Sequence, residues 1–168
     1  MRSGIISCLG AVVLSLGGSV VAADAPVLRY TPQEVVALPS HEAGAGTSGV
    51  AGIRTTALLG DPAQPGLYTL RIAIPPNTKI AAHTHKGTRS VVVTEGEWYF
   101  GIGPKAEPGA LKQLPAGSFY TEPDGVPHFA ETRTRGAVLF LTGVGPTDTV
   151  YVDRSQAPAA KPASGTTR

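Results

Sequence analysis

Sulfur is nearly missing from this chain. Cys8 and Met1 are its only cysteine and its only methionine, and both lie at the very start. Everything downstream therefore has no disulfide, no thiolate and no thioether to offer, which excludes blue-copper, iron–sulfur and cysteine-type zinc sites. Charge is sparse too. Only 15% of the residues are charged and the net charge is +2; the basic residues are dispersed, with no stripe that could neutralise a phosphate backbone, so nucleic acid is not an expected partner. Long apolar runs are also scarce, and one stands out, from Ile5 to Leu16. It follows Arg2 and leads through Gly17, Gly18 and Ser19 to Val21-Ala22-Ala23 ahead of Asp24, which is the order of a secretory signal peptide cleaved after Ala23. An uncleaved membrane anchor is the alternative, and the glycines and the small-residue exit disfavour it. The expected product is periplasmic or secreted, without membrane attachment after cleavage, and of a length that suits one domain with its own core.

What the chain has in quantity is glycine and proline, 21 and 15 residues, and these cut it into short segments. Thr31-Pro32-Gln33-Glu34 predicts a short helix, because threonine can cap, proline suits the first helical position and glutamate completes a capping box. It should stop before Pro39. Residues 39–49, PSHEAGAGTSG, read as a loop, and His41 within it reads as a solvated histidine without a neighbouring ligand. Beyond Gly49 short apolar runs alternate with turn residues, the pattern of an antiparallel β domain. Strands are expected at 53–59, 67–74, 79–85, 89–94, 97–102, 118–121, 128–132, 137–144 and 149–152, with Glu95 and Gly96 forming a hairpin turn. Val91-Val92-Val93 and residues 137–141 are apolar on both faces and should run through the middle of a sandwich. Strands this short and numerous predict an all-β jelly roll. The chain thus divides into a leader (1–23), a β domain (24–153) and a tail (154–168) too rich in alanine, proline and serine to bury much.

Chemistry concentrates on three histidines. His83 and His85 lie two apart in an expected strand, so both imidazoles project from one face; His128 opens another strand, directly after the rigid turn Pro123-Asp124-Gly125-Val126-Pro127. Neutral imidazoles suit a divalent ion of iron, manganese, nickel, copper or zinc, and three of them leave positions open for water or substrate. The alternative is structural: buried imidazoles satisfied by backbone groups. Tyr99, Tyr120 and Trp98 are candidates to line the same cavity, although aromatic residues in short strands are more often core. Thr132 and Thr142 occupy strand positions compatible with an inward direction.

These residues spell two motifs, and through them the chain resembles the cupin family. NTKIAAHTHKGTRSVVVTEG is similar to the family's G-x5-H-x-H-x3,4-E-x6-G at His83, His85 and Gly96; GSFYTEPDGVPHFAET is similar to G-x5-P-x-G-x2-H-x3-N at Gly117, Pro123, Gly125 and His128. GDPAQPGLYTLRIAIPP and GVGPTDTVYVD resemble small exported bacterial cupins more broadly. The resemblance implies a double-stranded β-helix with the histidines facing inward, and it makes a homodimer an expectation. Departures fall at Asn77, at Thr132 and above all at Arg89, which stands where the family places a carboxylate ligand. A guanidinium cannot ligate a cation, so the resemblance implies a three-histidine centre, similar to cupin-like thiol and diketone dioxygenases. Arg89 either points inward, where it would favour a small anionic substrate, or leans to the barrel mouth and pairs with Glu97 or Glu131. With the carboxylate gone, Tyr99, Tyr120 or metal-bound water would have to move protons. Either a dioxygenase-like metalloenzyme or a non-catalytic periplasmic module for a small ligand or metal follows.

Overall fold

The computed structural model describes residues 26–42 and 44–159. The expected leader up to Ala23 lies outside these residues, as does the part of the expected tail from residue 160 onward. The chain divides after Tyr30 into two units, and the second carries every helix and strand described below. Among the described residues no helix is long and apolar enough to cross a membrane.

Helix α1, Pro32–Ala37, forms as the sequence spells it. Both halves of the capping box are made: the Thr31 side chain accepts from the Glu34 N–H, and the Glu34 carboxylate accepts from the Thr31 N–H. The helix ends at Leu38, ahead of Pro39, and buries Val35 alone.

Among the described residues nine strands follow: β1 (Arg54–Leu59), β2 (Gly66–Ile74), β3 (Lys79–Thr84), β4 (Arg89–Ile102), β5 (Lys112–Pro115), β6 (Phe119–Glu122), β7 (His128–Glu131), β8 (Ala137–Gly145) and β9 (Val150–Tyr151). All the pairings are antiparallel. One half of the barrel is ordered β1-β2-β8-β4-β6 and the other β9-β3-β7-β4-β5, so β4 belongs to both. Leu70, Val91, Val93, Leu139 and Leu141 from the first half meet Ile80, Trp98, Phe100, Leu114 and Ala130 from the second in one core. Each leucine, valine, isoleucine or phenylalanine among them contributes roughly 1.5–3 kcal/mol when fully buried. This is the all-β jelly roll that the strand pattern predicts, with β4 and β8 in the middle of their half.

The expected hairpin at Glu95-Gly96 is absent. β4 runs unbroken for 14 residues, and its pairing with β8 slips between Val93 and Glu95. A β-bulge of this kind bends a strand and shifts its side-chain alternation. Before it, odd-numbered Arg89, Val91 and Val93 are buried; after it, even-numbered Trp98 and Phe100 are. Gly96 makes the bend possible, with φ of 73° and no room for a Cβ beside the Gly136 carbonyl. β5 carries only one buried residue, Leu114, which is why no alternation announced it. Past Asp153 the chain forms a single 3-10 turn, Arg154–Gln156, capped by the Asp153 side chain.

Candidate metal centre

Three backbone features bring the histidines together. His83 lies near the end of β3 and His85 just past it, both directed inward by strand alternation. His128 opens β7, and the β3–β7 register sets it directly opposite His83. Their rings stand 4.5–5.2 Å apart centre to centre, and one ligand nitrogen from each lies within 4.8 Å of the others. All three residues are buried.

The hydrogen bonds fix which nitrogen is bare. His83 Nδ1 donates to the Ala81 carbonyl at 2.7 Å, His85 Nδ1 to the Asp148 carbonyl at 2.6 Å and His128 Nδ1 to the Val126 carbonyl at 3.0 Å. A carbonyl only accepts, so each hydrogen sits on Nδ1 and each Nε2 presents a lone pair. The Nε2 atoms of His85 and His128 are buried with no partner. Burial is the main force holding the rings neutral: it pushes His83 down to about 4, assisted by His128, pushes His85 far below the usual range, with Arg89 adding to the effect, and also lowers His128. Neutral rings with a fixed tautomer and outward-anchored Nδ1 are what metal-ligating histidines require. The residues present therefore fit a divalent ion.

Arg89 points inward. It is 4% exposed, and its Nε and Nη2 both donate to Glu122 Oε2, the first at 2.7 Å, while Nη1 donates to the Gly46 carbonyl at 2.9 Å. Glu97 and Glu131, the acids expected as its partners, instead face Tyr99 and Arg135, and Arg133. Of the two alternatives for Arg89 the inward one describes its position, and Glu122, itself buried, neutralises its charge. Glu122 sits opposite Arg89 in the β4–β6 register, and its Oε2 lies 3.9 Å from His128 Nε2. Sequence reasoning missed this residue by ending the strand at Thr121; its two-residue spacing from Tyr120 was the available signal.

Tyr120 and Trp98 line the cavity, and Trp98 Nε1 donates to the Tyr120 hydroxyl at 2.9 Å. Burial and the Glu122 charge hold the Tyr120 phenol well above its usual range. Tyr99 does not line it. After the bulge Tyr99 faces away, its hydroxyl on Glu97 and its ring under the Arg133 guanidinium at 4.0 Å, so the proposed proton-moving role for Tyr99 is corrected. Thr132 bonds the Pro75 carbonyl and the Thr78 N–H, and Thr142 bonds Thr69; both serve the fold. The side chain of His41 is exposed, and its backbone bridges to Thr55.

The glycine-rich loop covers one side of the site. Carbonyls of Gly46, Thr47 and Ser48 accept from Arg89, from the Thr149 hydroxyl at 2.8 Å and from the Tyr151 hydroxyl at 2.7 Å. Beneath it the cavity offers about 50 Å³, walled elsewhere by apolar groups such as Ile72, Ile80, Phe100 and Leu139. That is room for an ion and a few waters.

No protein-family model and no curated protein matches the sequence. Solved structures do match. The polyketide cyclase RemF from Streptomyces resistomycificus superposes with a TM-score of 0.61 at 17% identity, over 79% of this chain and 90% of that one. An RmlC-like cupin from Shewanella frigidimarina gives 0.51 at 19% identity, over 73% and 94%, and a cupin-like protein from Thermotoga maritima 0.51 at 16%, over 72% and 97%. At such identities the likeness defines a fold: this chain is a cupin-type jelly-roll barrel. Inside that barrel it carries a three-histidine cluster compatible with a divalent metal.

Proposed function

We propose that the protein is an exported metalloenzyme in which His83, His85 and His128 hold a divalent ion that acts on a small organic molecule. One observation carries the reading: three clustered, buried imidazoles have their Nδ1 hydrogens all taken up by carbonyls, while the Nε2 atoms of His85 and His128 are buried without a partner. Histidines serving only the fold would find partners on both nitrogens, and a buried acceptor left unmet costs on the order of 1–3 kcal/mol. A bound divalent ion would supply Lewis acidity that polarises a substrate oxygen. The chain's own part is to position and to exclude water: the carbonyls of Ala81, Val126 and Asp148 orient the rings, and the apolar wall and loop 44–48 keep the site dry.

A dioxygenase-like reaction suits these walls better than a lyase or isomerase reaction. The buried carboxylate is engaged by Arg89, and Tyr120 holds its proton firmly, so neither is free to shuttle protons at neutral pH. Arg89 orients the protein's own Glu122, and a preference for an anionic substrate rests on the charge of the ion alone. The protein purified from its natural compartment should retain a divalent ion and consume oxygen with a member of a dicarbonyl and thiol panel. His128→Ala should lose both properties while staying folded.

The small cavity favours a second reading, a non-catalytic module for a metal or a very small ligand. Metal retention without oxygen uptake on any panel member would support it. Periplasmic or secreted location and pairing of two copies belong to the same proposal; they rest on the leader pattern and on the cupin resemblance. Amino-terminal sequencing should begin at Asp24, and sedimentation should give a dimer.

A further inference from the structure

We propose that Thr55 is a specificity-determining residue of the cavity, whose hydroxyl holds the second oxygen function of a short aliphatic acid bound through its carboxylate at the histidine centre. This rests on the three-histidine reading above and names the class of molecule the site takes. Among the described residues four buried side-chain polar atoms lack a hydrogen-bond partner: Thr55 Oγ1, the Tyr68 hydroxyl, His85 Nε2 and His128 Nε2. Thr55, His85 and His128 line one cavity, so these unmet atoms belong to a common space; the Tyr68 hydroxyl packs beside Gly143 instead. Thr55 is 0% exposed, and its N–H and carbonyl are both taken by the His41 backbone at 2.8 and 2.9 Å. Only the hydroxyl is left over. Thr47, on the same cavity wall, gives its own hydroxyl to the Gly44 carbonyl at 2.9 Å. A buried hydroxyl without a partner costs stability, and a ligand would recover that loss.

Register separates the two polar ends. Thr55 pairs with Ile72, Ile72 with Leu139 and Leu139 with Val93, so the hydroxyl belongs to an apolar row. Val93 stands four residues beyond Arg89 on β4, roughly 13 Å along the strand. Arg89 belongs to the histidine end, through Glu122, whose Oε2 lies 3.9 Å from His128 Nε2. In the other half of the barrel Ile80, Ala130 and Phe100 pair in a second apolar row, and Ala130 is two residues on from His128. The walls between the ends therefore offer packing and no hydrogen bond. A buried water makes about three hydrogen bonds; beside Ile72 and Leu139, whose backbone groups serve the sheet, it finds too few. An aliphatic middle suits these walls. A divalent ion in a dry site favours an anionic head, and a hydroxyl that both donates and accepts suits a hydroxyl or carbonyl at the other end.

The test uses the purified protein, chelator-treated and reloaded with Co2+, with binding read from the visible absorption of the ion. The probes are ω-hydroxyalkanoates of three to six carbons and the alkanoates in which a methyl group replaces the terminal hydroxyl. For at least one chain length the wild type should prefer the hydroxy acid. Thr55→Val makes the same exchange of hydroxyl for methyl in the protein, and should shift that preference toward the alkanoate on the order of 10-fold; Thr55→Ser should keep it. Chelation by the acid itself and the movement of residues 44–48 are common to all three proteins and cancel. Without ligand, Thr55→Val should raise the urea midpoint, since it removes an unmet hydroxyl. An unchanged preference in folded Thr55→Val, a lowered midpoint, or no spectral response to any acid would overturn the assignment and leave the histidine centre standing. Failure of the wild type itself to bind Co2+ would overturn both.

Discussion

His83, His85 and His128 are kept uncharged by burial, and that has a consequence for stability. In the unfolded chain these imidazoles titrate near pH 6.5, whereas in the folded, metal-free protein His83 stays neutral down to about 4 and His85 lower still. Between these limits the unfolded state binds more protons, so stability must fall as pH falls. The loss is about 1.4 kcal/mol per pH unit for each such histidine, and for His83 it levels off below about pH 4. Urea unfolding of chelator-treated protein at pH 7 and pH 4.5 should therefore differ by several kcal/mol. Equal stabilities would mean that the rings are not buried neutral. Arg89 shows the same dependence on surroundings: its sequence position allowed either an inward cation or a surface partner, and only the buried carboxylate across the strand pair decides between them.

β4 is the element on which the site depends, because it contributes Arg89 to one half of the barrel and Trp98 to the other. Its bulge turns on Gly96, where φ is 73° and a Cβ would meet the Gly136 carbonyl. Gly96→Ala should cost about 3 kcal/mol, from left-handed strain together with the clash, and a shift in the urea midpoint would measure it. A change within a few tenths of a kcal/mol would show that the bulge is not held there. The bulge also explains what the sequence could and could not disclose. Alternation is local, so the shared face of His83 and His85, the capped helix and the inward runs of β2 and β8 were legible. A bulge is set by the pairing of β4 with β8, more than forty residues away; a hairpin turn expected at Glu95-Gly96 in its place left the faces of Trp98 and Tyr99 undecided, so both stood as candidates to line the cavity. Glu122 was hidden for a related reason, since its inward direction matters only once Arg89 is known to lie opposite.

The second unit is a preformed barrel with a small site partly covered by a loop, and two behaviours should follow. Any ligand larger than a few waters needs the cover formed by residues 44–48 to move, because the cavity offers about 50 Å³ where pockets for organic ligands measure roughly 300–1,000 Å³. Amide exchange should accordingly be faster in residues 44–50 than in β2, β4 and β8, and should slow when a ligand is bound. Uniform protection across loop and strands would contradict this. Loss of the metal, in contrast, should leave the barrel folded, since the core of Leu70, Val91, Leu139 and Leu141 does not include the ligands. The decisive quantity is the stoichiometry of Zn2+ bound by chelator-stripped protein at pH 7. A single saturable site that disappears in folded His128→Ala is the predicted result. Absence of saturable binding, or equal binding by the variant, would contradict it.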